Sequence, residues 1–140
     1  MQSVLDIKEK LEEQEKSRYA AAQARLSEEE EKLAALVGRR DACEDQLRES
    51  VGAGLDIKMI RHNEDALETL KVFVKTQGFA VQKAEQNVEA AMYRLRAAMT
   101  EHKAQERLKE KAWEGYLAEF NAEERKEVDE LVSFRYGTRA

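Results

Sequence analysis

The stretch Ser50-Val51-Gly52-Ala53-Gly54-Leu55-Asp56 decides how this chain folds. It is the only place in 140 residues where two glycines stand almost together, and they are followed by an aspartate suited to cap a helix N-terminus. The chain contains no proline. Proline removes a backbone donor and clashes in a helix interior, so its absence leaves nothing comparable to interrupt a helix elsewhere. The reading is a first helix over residues 2–50, a turn over 51–56 and a second helix over 57–135.

Before the turn, Tyr19, Ala22, Leu26, Leu33, Leu36, Cys43 and Leu47 recur in steps of three and four, with Glu29 and Arg40 as polar members. That spacing is a coiled-coil seam. Upstream, Val4, Ile7 and Leu11 extend it, and joining them to Tyr19 through Glu15 requires two consecutive four-residue steps, a stutter that locally unwinds a supercoil. After the turn the seam runs through Ile60, Leu67, Leu70, Val74, Gln77, Val81, Ala84, Val88, Ala91 and Leu95, with a second stutter on to Met99 and His102.

Pairing the seams antiparallel sets Leu47 against Ile60, Leu36 against Leu70, Leu33 against Val74, Leu26 against Val81, Tyr19 against Val88, Leu11 against Leu95 and Ile7 against Met99. Each pair of residue numbers sums to 106 or 107. The expected fold is all-α, a long antiparallel two-helix coiled-coil hairpin whose second helix extends beyond the first as an unpaired tail from about Lys103. Trp113, Leu117, Phe120, Leu131 and Phe134 on that tail offer a partner surface.

Composition narrows the function. Charged residues make up 38% and aromatics 6%, too few apolar aromatics for a multilayer core, while ordered apolar spacing argues against disorder. Lys and Arg number 24 against 29 Asp and Glu, finely mixed, so no basic stripe exists to neutralise phosphates and nucleic acid is not an expected partner. The clusters Arg39-Arg40 and Arg94-x-Arg96 read as solvated helix faces. With one cysteine, no signal pattern and no apolar run of transmembrane length, the chain reads as cytoplasmic and not membrane-inserted.

No phosphate-binding glycine loop, G-x-S-x-G or H-E-x-x-H is present, so neither catalysis nor a cofactor or metal is expected. His62 and His102 read as structural histidines, Cys43 as seam filler, and Glu28-Glu29-Glu30-Glu31 as solvated surface whose carboxylates diverge around the helix. Glu29 opposite Gln77, or Arg40 near Asn63, reads as fixing register, with a binding role as the alternative. Gly38 and Gly78, each costing about 1 kcal/mol relative to alanine in a helix, read either as sites of bending or partner contact, or as tolerated neutral positions. Val72, Phe73 and Phe79, unused by the seam, form a candidate binding patch with Leu36 and Leu70 at its edge.

The opening Val4-Leu5-Asp6-Ile7-Lys8-Glu9, the turn Gly52-Ala53-Gly54-Leu55 and the tail Glu123-Glu124-Arg125-Lys126-Glu127-Val128-Asp129-Glu130, with Arg135 near the end, together resemble the FliJ family of the bacterial flagellar type III export apparatus. The resemblance implies a non-enzymatic stalk in the centre of the hexameric export ATPase FliI that reaches the membrane export gate FlhA, with links to the ATPase regulator FliH and to substrate chaperones. It also implies a peripheral location at the inner membrane and a mainly monomeric hairpin. By the same resemblance Leu36, Arg39, Leu70, Phe73 and Gln77 fall at the gate-binding level, although Arg39, Phe73 and Gln77 differ in kind from the family's side chains there. Lys8, Arg18, Lys126 and Arg135 fall at the ATPase end. The competing readings are the equivalent stalk of a virulence injectisome and a general coiled-coil scaffold whose tail dimerises.

Overall fold

The computed structural model describes residues 2–54 and 56–137, with side chains through 135; Leu55 of the expected turn lies outside them. Two helices, α1 (Gln2–Gly52) and α2 (Ile57–Gly137), pack against each other as an all-α hairpin, and no strand occurs among the described residues.

The turn is built as its residues demand. Beyond α1, the Ala53 amide donates to the Glu49 carbonyl at 2.9 Å and the Gly54 amide to that of Val51 at 3.3 Å. Gly54 adopts φ 70°, a left-handed conformation that strains any residue with a Cβ. Asp56 then caps α2. Its carbonyl accepts from the Ile60 amide at 3.1 Å and its Oδ1 from the Lys58 amide at 3.2 Å, so the side chain satisfies a donor that the first helical turn leaves open.

The chain divides into two units, Glu13–Arg96 and Met1–Glu12 with Ala97–Ala140. In the first, the covered positions of α1 include Glu15, Tyr19, Ala22, Leu26, Glu29, Leu33, Leu36, Arg40, Cys43, Leu47 and Ser50, alternating four and three residues without a break, with Val37 and Glu44 also half-buried. On α2 the corresponding set includes Ile60, Asn63, Leu67, Leu70, Val74, Gln77, Val81, Ala84, Val88, Ala91 and Leu95, in equally regular steps. Leu67, Val81, Ala84, Ala91 and Leu95 are buried, but no described side chain is fully enclosed. A two-helix seam covers its large residues on one side only, so its stability comes from many half-buried contacts, each worth less than the roughly 1.5–3 kcal/mol of a fully buried aliphatic side chain.

The second unit corrects the expected seam. Val4, Ile7 and Leu11 are 42%, 57% and 41% exposed, and the half-buried positions are Leu5, Lys8 and Glu12. On α2 the covered positions continue through Ala98, His102 and Gln105, with Met99 also half-buried. Neither helix needs a stutter, because the three-four alternation continues at both termini. Polar residues take the inner positions because they find partners. Lys8 Nζ donates to Glu101 Oε2 at 2.8 Å, His102 Nδ1 pairs with Glu12, and Lys109 Nζ donates to Gln2.

Candidate partner-binding surfaces

Counted in sevens, Val72, Phe79 and Tyr93 share one heptad position of α2, the one pointing most directly away from the seam through Val74 and Val81. Solvated coiled coils place charge there. Here the three are exposed, Val72 and Phe79 at 60% and Tyr93 at 77%, and Phe73 lies beside them, 51% exposed. These residues, with Gln86 between Phe79 and Tyr93 at the same heptad position, gain nothing from the hairpin itself and form a candidate contact surface.

Of the residues expected at this level, Arg39 and Phe73 are exposed, whereas Leu36 and Leu70 are half-buried in the seam. Gln77 faces inward. Its Nε2 donates to the backbone carbonyl of Glu29 at 3.0 Å and to the Glu29 carboxylate. Glu29 is 5% exposed, and its other oxygen receives Arg25 at 2.9 Å, with Lys32 at 3.6 Å. The Gln77 hydrogen bond, then the Lys32 and Arg25 charges, hold the Glu29 carboxyl below its ordinary range against the opposing effect of burial. Arg40 pairs with Asp41 at 3.2 Å, and the Cys43 thiol contacts the Asn63 carbonyl at 3.7 Å. A Cβ added at Gly38 or Gly78 meets nothing within 4 Å, so neither glycine serves a close contact inside the hairpin.

The second surface belongs to the other unit. Every residue from Glu106 to Arg135 is exposed. On this stretch Trp113, Tyr116 and Phe120 stack in series, with centroids 5.7 Å and 6.5 Å apart and planes within 24° and 19°. The i, i+3, i+7 spacing puts all three on one face. Tyr116 completes a stripe of which sequence reasoning named only Trp113, Leu117 and Phe120; its helical spacing is the signal that identifies it. Lys126 and Arg135 are exposed on the same helix, Lys8 is tied to Glu101, and Arg18, in the first unit, pairs with Glu15 at 3.0 Å.

Among the described residues no group of three or more His, Cys, Asp or Glu is placed to hold a metal ion, and no helix is long and apolar enough to cross a membrane. Two outward apolar surfaces on a helical hairpin are the equipment of an interaction protein. The family model described as Flagellar FliJ protein matches residues 1–140, the entire chain. The chain belongs to the FliJ family. As a FliJ-family member it is a component of the flagellar export apparatus, within a family of non-enzymatic export components. Among curated proteins and among solved structures, none matches it.

Proposed function

We propose that this FliJ-family chain is a non-enzymatic stalk that binds the centre of the export ATPase ring FliI and links it to the export gate FlhA, with FliH and substrate chaperones as further partners and the inner face of the membrane as its site of action. The observation that carries this reading is the presence of two separate apolar surfaces, one in each unit: the line of Val72, Phe79 and Tyr93 beside Phe73, and the aromatic stack of Trp113, Tyr116 and Phe120. A protein that joins two partners needs two such surfaces, and chemistry needs neither.

In this reading Arg39 and Phe73 contact the gate together with the outward line, while Leu36 and Leu70 support that line from the seam. Gln77 acts through register, not contact. Lys126 and Arg135 follow, toward the C-terminus, the aromatic stripe that enters the ATPase, and Lys8 and Arg18 contribute charge on α1.

The test is to mix the purified chain with FliI and, separately, with the cytoplasmic part of FlhA. Co-elution with both, and stimulation of FliI hexamer formation and ATP hydrolysis, is expected. Failure to co-elute with FliI and to stimulate it sinks the stalk assignment.

A further inference from the structure

The tail of α2 carries a seam of its own. Trp113, Leu117, Phe120, Leu131 and Phe134 fall on one series of alternating four- and three-residue steps, in which Glu124 and Glu127 take the two positions between Phe120 and Leu131, and all of these residues are exposed. It is not the hairpin seam left uncovered. That seam, carried on from Gln105 in the same steps, passes through Lys109, Ala112, Tyr116, Glu119, Glu123 and Lys126, one residue and so about 100° of helix away. A longer α1 would not cover the tail stripe.

The two glutamates have no cation within reach on their own helix. Side chains three and four residues apart meet on a helix surface, and for Glu124 those neighbours are Phe120, Asn121, Glu127 and Val128, for Glu127 they are Glu123, Glu124, Glu130 and Leu131. Arg125 and Lys126 lie one residue off and point to other faces. Like charge therefore accumulates, without relief, in the middle of an apolar stripe.

A second copy of the chain is a poor occupant for this surface. The antiparallel pairing that matches the apolar ends sets Trp113 against Phe134 and Leu117 against Leu131, but it then sets Phe120 against Glu127 and Glu124 against the second copy's Glu124. Parallel pairing in register also places each glutamate on its own counterpart. Like charges facing one another in a closing interface repel and lose water together.

We propose that the tail docks an amphipathic helix whose apolar residues are divided, as the stripe is, by basic side chains that lie against Glu124 and Glu127. Three-four spacing on the tail is the complement of another helix, and apolar contacts on both sides shield the central ion pairs from water. The same glutamates act against self-association, so one pair of residues both selects the partner and rejects the wrong one. The inference rests on the reading of the tail as the ATPase-facing surface, which assigns this basic-centred helix to FliI.

Sedimentation of the full chain tests the exclusion of a second copy. The parent chain is expected to remain monomeric, and Glu124→Leu with Glu127→Leu to dimerise through the tail. Isothermal titration into the full chain then compares two synthetic helical peptides with leucines in three-four spacing, one carrying lysines at its two central seam positions and one carrying glutamates there. The lysine peptide should bind about tenfold tighter, the size of one charge-assisted hydrogen bond, and Glu124→Gln with Glu127→Gln should remove the difference. The same glutamine variant should weaken FliI binding by about tenfold and flatten its dependence on salt. A parent dimer that Trp113→Ser abolishes, a leucine variant that stays monomeric, no preference for the lysine peptide, or FliI binding indifferent to the glutamine variant overturns the proposal. A chain that prefers the lysine peptide yet does not bind FliI counts against the stalk assignment and leaves the charge pattern standing.

Discussion

Gln77 on α2 donates from one nitrogen to both the backbone carbonyl and the carboxylate of Glu29 on α1. The pair sits inside the seam, where a carboxylate without donors is costly. Arg25 and Lys32 supply the remaining compensation from α1 itself.

Acid is expected to loosen this arrangement in a defined direction. Because the folded chain holds the Glu29 carboxyl below its ordinary value of 4.5, ionised Glu29 contributes its full stabilisation above that pH and loses it as pH falls through the lowered value. Gln77→Ala removes the largest cause of the lowering. Thermal melts between about pH 6 and pH 3 should show a lower melting temperature for Gln77→Ala at pH 6 and a shallower further loss below pH 4.5 than the parent chain.

Glycine substitutions separate two roles. Gly38 sits mid-helix with open space around its missing Cβ, so Gly38→Ala should stabilise by up to about 1 kcal/mol. At Gly54 the left-handed backbone reverses the sign, and Gly54→Ala should cost about 1–2 kcal/mol. Urea unfolding monitored by circular dichroism measures both.

The register at the N-terminal end is open to a direct contrast. Leu95 is buried, 8% exposed, and Leu95→Ala should cost about 2–3 kcal/mol. Leu11, expected from sequence alone to face it, is exposed, and Leu11→Ala should fall within about 0.5 kcal/mol of the parent. Equal losses at the two positions would restore the apolar seam through Val4, Ile7 and Leu11.

The two surfaces should separate by partner. Trp113→Ser with Phe120→Ser is expected to weaken binding to FliI by about 2 kcal/mol or more, the scale of an aromatic hot spot, and to leave FlhA binding intact. Phe79→Ser with Tyr93→Ser should do the reverse. Isothermal titration on variants of parental helicity reads both; a variant pair that affects the two partners alike counts against separate surfaces.

Much of the fold was legible in the residues because the decisive signals are local. Gly52, Gly54 and Asp56 specify a reversal, the lack of proline leaves the flanks helical, and seams in steps of three and four leave one way for the flanks to pair. The N-terminal end was misread for a physical reason. Hydropathy favours Val4, Ile7 and Leu11 over Leu5, Lys8 and Glu12, yet the polar set wins because Glu101 and His102 lie within reach of it, about ninety residues away in sequence. Pairings that distant leave no trace in periodicity. Gln77 shows the same limit: its position on the seam was evident, but its engagement with Glu29 turns a candidate contact residue into an internal fastening. Tyr93, by contrast, lies two heptads beyond Phe79, past Gln86, at a position the sequence spacing alone reaches.

The Glu29–Gln77 pair has a consequence for mechanical load. A seam of leucines and valines alone resists shear poorly, since sliding one helix past the other by seven residues exchanges one aliphatic neighbour for another. Here the same slip brings Glu29 opposite Leu70 or Ala84, neither of which offers a donor, so the buried oxygen that Gln77 served loses its partner while Arg25 and Lys32, on α1 itself, keep only the other oxygen compensated. Tension applied along one helix of the Glu13–Arg96 unit is therefore passed to the other as displacement and not dissipated as creep.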